Sequence, residues 1–229
     1  MTSTETYHSE MRLFDPKLGQ RLYMDEKERE LFLAATAELA SRKHRLFCHV
    51  LHWTGARISE ALELTGNNID CDKQAIIFRT IKKRKRTAKG ELKAPVFRQI
   101  PVPPELISGF DYRYDLRKKK KSKDPSLSLP LWSSKSDPKK LMSRSTGWRI
   151  VKRALDKAGI EGPQATAKGL RHGYACAMIL GGMDIYTLQT RLGHERAETT
   201  GIYLQVKGQE AHDLQMKYWA EANKNWQTD

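Results

Sequence analysis

Apolar positions recur at helical spacing through the first quarter of the chain. Between Asp25 and Ala40, Leu31, Phe32, Ala35, Leu39 and Ala40 fall on roughly one face, which predicts a helix. Leu46, Phe47, Val50 and Leu51 predict a second over Lys43 to Trp53. Thr54-Gly55 breaks it, and Ala56 to Leu64 resumes as a short helix with Ile58, Ala61 and Leu62 inward. The pattern then changes. Residues 75–81 (Ala-Ile-Ile-Phe-Arg-Thr-Ile) and 96–102 (Val-Phe-Arg-Gln-Ile-Pro-Val) are β-branched and aromatic, as strands are. A basic hairpin connection, Lys82 to Gly90, joins them. Helical patterns return at Thr146 to Ala158, Lys168 to Leu180, Asp184 to Leu192 and Ala197 to Val206. A last amphipathic helix is expected over Gln209 to Trp226. The expectation is one mainly α domain with a small antiparallel β-sheet.

Two stretches fall outside this scheme. Residues 1–21 read as a loose N-terminal arm interrupted by Pro16 and Gly19, and residues 117–138, with Arg117 and Lys118 to Lys121, read as a mobile basic loop. The 41 Lys and Arg residues against 27 acids give a formal charge of +14, which points to a polyanion and above all to nucleic acid. No apolar run has the length of a membrane span, and no signal-peptide core opens the chain. Cys48, Cys71 and Cys176 lack metal-ligand spacing and leave one thiol over in any disulfide scheme, so they read as reduced, partly buried thiols in a cytoplasmic protein. Trp148, Trp219 and Trp226 suit packing better than base stacking.

Three short runs carry the chemistry. They are residues 54–60 (Thr-Gly-Ala-Arg-Ile-Ser-Glu), residues 168–172 (Lys-Gly-Leu-Arg-His) and residues 192–203, in which Leu-Gly-His is followed at nine residues from His194 by Tyr203. Arginine forks hold and neutralise a phosphate, a histidine hydrogen-bonds it, and a phenol can attack it. Taken singly, each has an ordinary structural explanation: Arg57 paired with Glu60, His194 capping a helix end after Gly193, and Tyr203 as one of eight tyrosines in a core.

In order and spacing these runs resemble the catalytic domain of the tyrosine recombinase (phage integrase) family, from about Leu22 to Gln205. The resemblance implies a domain of the DNA breaking-rejoining type over residues 22–208, mainly α with a small three-stranded antiparallel β-sheet, and a C-terminal helix or tail at 209–229. It implies Arg57 and Arg171 as phosphate-binding arginines, with Glu60 orienting Arg57, His194 as hydrogen-bond donor and Tyr203 as nucleophile. The family usually has His-x-x-Arg where this chain has Lys168-x-x-Arg171, so Lys168 is assigned a supporting role on the phosphate. His172 is expected to be a structural hydrogen-bonder. A hairpin lysine would act as general acid; counting from Phe78 gives Lys83, with Lys82 and Lys85 as alternates.

The implied partner is double-stranded DNA, bound as a tetramer by a protein that is monomeric when free. Most relatives carry a separate binding domain before the catalytic one; three explanations stand open here: a minimal member of the family, a sequence that is part of a longer chain, or an accessory DNA-binding protein that supplies the other half of the clamp. No cofactor, metal or membrane is implied, and the origin expected is prokaryotic or a mobile element. Two alternatives stand beside recombination: an enzyme of the same chemistry, either a type IB topoisomerase that relaxes supercoils or a hairpin-forming telomere resolvase, and a non-cleaving DNA-binding accessory protein on the same fold.

Overall fold

The computed structural model describes residues 12–80, 94–134 and 137–206, together with 215, 216, 219 and 220. Helix α1 (Glu26–Ala35) starts at a capping box. The Asp25 carboxylate accepts the Glu28 backbone N–H, and the Glu28 carboxylate accepts that of Asp25. It stops short of Ala40 because Thr36 turns its hydroxyl back onto the Leu33 carbonyl and meets His49 Nε2 at 2.8 Å, giving a 3-10 turn over Thr36–Glu38.

Helix α2 (Arg42–Thr54) ends at Gly55 in the left-handed region, φ 60°. Any side chain there would also strike the Tyr174 ring, 2.4 Å from an added Cβ. The short α3 (Ile58–Leu62) follows at once, with Arg57 as its N-cap residue.

The sheet is antiparallel in the order β1 (Ile69–Asp70), β2 (Ala75–Thr80), β3 (Val96–Pro101). Phe78 pairs with Arg98, and Ile76 with Ile100. The connection between β2 and β3, with Lys82, Lys83 and Lys85, lies outside the described residues.

Two helices depart from the sequence expectation. The pattern assigned no element to α4 (Pro104–Tyr114), although Leu106, Ile107 and Phe110 supply a buried helical face behind Pro104 at the first turn. The expected basic loop is a helix at its start, α5 (Leu116–Lys121). Lysine is a good helix former, Leu116 anchors the turn in the core, Arg117 pairs with Asp111, and Lys120 reaches the Ile69 carbonyl.

Helices α6 (Arg144–Lys157), α7 (Ala167–Leu180) and α8 (Ile185–Leu192) begin at side-chain caps from Ser143, Thr166 and Asp184. The helix expected over 197–206 is interrupted: α9 (Glu198–Gly201) is one turn long, and a turn at Ile202 and Tyr203 separates it from residues 204–206. Most of the expected tail helix lies outside the described residues.

The main core joins α1 to α7 and the sheet around Phe32, Phe47, Phe78, Phe110 and Trp132, whose indole N–H donates to the Ala61 carbonyl at 2.6 Å. A second cluster gathers Leu13, Tyr174, Ala175, Cys176, Ile179, Leu188, Leu192 and Tyr203. Leu13 is fully buried there and Phe14 bridges to Arg21, so the end of the expected loose arm is fastened to the domain. All three cysteines are free and buried.

His52 lies buried with its ring parallel to Phe32, and its Nδ1 has no hydrogen-bond partner. Burial, then the charges of Arg29 and His49, lower its pKa from 6.5 to about 3. An unfolded chain takes up this proton near pH 6.5 and the folded one does not. His52 therefore contributes stability in full above pH 6.5 and loses it as pH falls toward 3. Urea denaturation should show stability declining from pH 7 to pH 5, with a shallower slope in His52→Phe by up to about 1.4 kcal/mol per pH unit. An unchanged slope would contradict the assignment.

Candidate active site

Glu60 is the point from which the site is built. Its Oε2 accepts the Arg57 backbone N–H at 2.9 Å and its Oε1 the Arg57 Nη1 at 3.0 Å. Arg98 Nη2 donates to Oε2 at 2.6 Å, and Arg171 Nη1 stands 3.9 Å from the same oxygen. The carboxylate is 1% exposed. Burial opposes its ionisation, but Arg98, Arg171 and Arg57, with the Arg57 N–H, outweigh that and hold the carboxyl below its ordinary value.

Arg98 went unassigned in the sequence, yet it ties three elements together. Its Nη1 donates to Thr80 Oγ1 at 3.0 Å, its Nε to the Arg191 carbonyl at 2.9 Å, and its guanidinium lies 5.2 Å from the centre of the Phe78 ring. The signal was present: alternation puts Arg98 on the same strand face as the buried Ile100, an inward position where a charge needs a partner.

Arg171, on α7, is buried. Nη1 donates to the Gly55 carbonyl at 2.6 Å, and Nη2 to the Leu192 carbonyl at 2.8 Å and to His194 Nε2 at 3.0 Å. A guanidinium only donates, so Nε2 of His194 accepts and Nδ1 carries the proton, donating to Thr200 Oγ1 at 3.0 Å. Burial first, then the Arg171 and Arg57 charges, hold the His194 pKa at about 2, so the ring is neutral. Burial and Arg57 bring Arg171 down to about 10 against the pull of Glu60, which leaves it charged at neutral pH. Gly193, at φ 65°, turns the chain from α8 to His194. An added Cβ would lie 3.2 Å from Arg98 Nη1, so glycine also permits that close approach.

The side chain of Arg57 is 42% exposed, so its guanidinium borders solvent while Arg171 and His194 form the inner wall. Tyr203 is 0% exposed. Its hydroxyl meets His172 Nδ1 at 2.8 Å, and its ring lies parallel to His194 with centres 6.5 Å apart. Burial pushes the phenol well above its usual value of 10, against the pull of Arg171 and Arg57. Lys168 is exposed on the first turn of α7, close enough for its charge to depress His172. The fold thus gathers Arg57, Arg171, His194 and Tyr203. Lys83, Lys82 and Lys85 fall outside the described residues.

Among the described residues no group of three or more His, Cys, Asp or Glu could hold a metal ion. A cleft of about 380 Å³ opens behind Glu60 on the sheet side, against Glu63, Ile77, Arg79 and Phe97; none of the four gathered residues lines it.

Residues 22–210 match the Phage integrase family. The chain is 33% identical to Tyrosine recombinase XerA of Pyrococcus furiosus over 196 residues, covering 85% of this chain and 62% of that protein. It is 34% identical to an Integrase/recombinase of Escherichia coli over 186 residues, covering 72% and 55%. The chain thus spans little more than half the length of these relatives. A crystal structure of the XerH site-specific recombinase, bound to palindromic difH substrate in a post-cleavage complex, superposes with TM-score 0.66 at 19% identity, over 89% of this chain and 55% of that one. That likeness establishes the fold.

Removing Arg98 would leave Glu60 buried with one direct cationic partner, since Arg171 lies beyond hydrogen-bond distance. Arg98→Met should cost about 3 kcal/mol in urea denaturation, in the range for breaking a buried pair. A loss within about 0.5 kcal/mol, the scale of ordinary surface substitutions, would show that Arg98 does not hold the site.

Proposed function

The chain belongs to the phage integrase family, and on that premise we propose that it is a tyrosine-type site-specific DNA recombinase that cleaves and rejoins duplex DNA through a 3′-phosphotyrosyl intermediate. The observation that carries this reading is the buried Arg171 guanidinium bonded to His194, beside Arg57 on their shared Glu60, with Tyr203 in the same wall.

The roles of Arg57, Arg171 and Tyr203 draw support from their placement, whereas that of Lys83, outside the described residues, rests on the family resemblance. Arg57, at the open rim, takes a nonbridging oxygen of the scissile phosphate, and Arg171 takes the other from within. The Nε2 lone pair of His194 faces Arg171 in the DNA-free protein. Its donor role requires either the other ring nitrogen or a change of tautomer on binding. Lys168 adds positive charge at the rim. Tyr203 Oη attacks phosphorus, the P–O5′ bond breaks, and Lys83 protonates the leaving 5′-oxygen. Religation reverses these steps. The covalent link conserves the phosphodiester bond, so strand exchange needs no nucleotide hydrolysis, and fixed charge around the phosphorane-like transition state supplies most of the acceleration.

The partner is double-stranded DNA, which the excess of positive charge favours through phosphate contacts and counterion release. Strand exchange between two duplexes calls for four nucleophiles, hence a tetramer on DNA built from protomers that are monomeric when free. An accessory DNA-binding protein would supply a further grip on the site. A cytoplasmic location goes with such a substrate, and among the described residues no helix is long and apolar enough to cross a membrane.

The test is to incubate the protein with fragmented DNA of its source, denature in detergent, and sequence the ends of protein-linked fragments. Adducts clustered at a few sites and lost in Tyr203→Phe are expected. Arg57→Ala should lower adduct yield at least about 100-fold, on the scale of losing one preorganised oxyanion contact, while DNA affinity stays within a few fold. Scattered adducts would favour a topoisomerase, and binding without any adduct would leave a non-cleaving DNA-binding protein.

A further inference from the structure

His172 is 1% exposed, and among the described residues it is the hydrogen-bond partner of the Tyr203 hydroxyl. Its other nitrogen, Nε2, is buried with no partner among the described residues. The two facts together fix the proton. A neutral phenol has one hydrogen to give, and His172 Nδ1 is the acceptor beside it. The imidazole then carries its own hydrogen on Nε2, where it is unpaired. The opposite arrangement would leave both the phenol proton and the Nε2 lone pair without partners, and so is the costlier one.

Among the described residues, His194 is not placed to take that proton. The Nε2 lone pair of His194 is taken by Arg171, and its ring lies face to face with Tyr203 rather than end-on to the hydroxyl. Lys168 is exposed on the first turn of α7, one helical turn from His172.

We propose that His172 is a catalytic residue, the base that takes the Tyr203 proton as the phenol attacks the phosphate. This rests on the recombinase reading above. The Tyr203 O–H bond breaks and its proton passes to His172 Nδ1, giving an imidazolium. The Tyr203 Oη–P bond forms, the P–O5′ bond breaks, and the 5′-oxygen is protonated by the general acid of that reading. On religation the proton returns from His172 to the departing phenolate.

The DNA-free site keeps this transfer switched off. Burial first, then the charges of Lys168 and Arg171, lower the His172 pKa to about 3, while burial raises that of Tyr203. A phosphate seated on Arg171 and Arg57 brings negative charge that offsets the two cations acting on His172, so the base strengthens when substrate arrives.

Two variants and one spectrum test this. His172→Asn keeps a hydrogen-bond acceptor near the phenol but is not a base. It should fold, bind DNA fragments as the unaltered protein does, and form adduct at least about 100-fold more slowly, the scale of a lost general base. In His172→Ala, added imidazole should restore adduct formation. Nitrogen-15 NMR of the DNA-free protein should show Nδ1 of His172 unprotonated, with a shift that changes in Tyr203→Phe.

Wild-type or faster adduct formation by His172→Asn would reduce His172 to a restraint on the nucleophile and overturn the proposal alone. Failure of imidazole rescue, or a proton on Nδ1, would overturn it as well. Absence of adducts from the unaltered protein would instead remove the recombinase reading, and this proposal with it.

Discussion

One buried carboxylate, Glu60, governs where the cations of the candidate site stand. A carboxylate taken from water is stable only if its charge is answered and its lone pairs are filled. Arg57, Arg98 and Arg171 answer it from three different parts of the chain. In the other direction, the three guanidiniums would repel one another without the carboxylate between them. The same contacts fix the helix start at Arg57, the base of the sheet through Arg98 and Thr80, and the end of α8 through Arg98 and the Arg191 carbonyl. A phosphate would meet cations whose positions are already set, and preorganisation of that kind is what electrostatic catalysis requires.

Tyr203, the proposed nucleophile, is held differently. Tyr203 belongs to the second apolar cluster, with its hydroxyl turned to His172 rather than toward the solvent edge where Arg57 lies. Among the described residues its neighbours along the chain are a one-turn helix before it, a turn at Tyr203 itself, and the Thr200–His194 hydrogen bond. The arrangement sets three guanidiniums around one carboxylate and buries the proposed nucleophile beside them.

Much of this was legible in the chain. The helices of the first quarter, the two longer strands and helices α6 to α8 followed from periodicity and caps. The misses have physical causes. Thr36 ended α1 through a side-chain bond that periodicity does not register, and the lysine-rich α5 was read for its charge when its propensity and Leu116 made it helical. In the site, Arg57, Arg171, His194 and Tyr203 stood out through the order and spacing of three short runs, and the fold brings them together. Arg98 was hidden because its partners lie 38 residues before it at Glu60 and 93 after it at Arg191, distances that no local pattern spans. His172 was recognised as a hydrogen-bonder, but only the folded chain shows that its partner is the tyrosine hydroxyl.

The most direct measurement is single-turnover adduct formation by Glu60→Gln. The amide keeps the shape of the carboxylate and removes its charge. If Glu60 sets the geometry of the cations, adduct formation should fall at least about 100-fold, as when a preorganised oxyanion contact is lost, in a protein that still folds and binds DNA. Adduct formation at the unaltered rate would show that Arg57 and Arg171 hold their places without it, and would contradict the account.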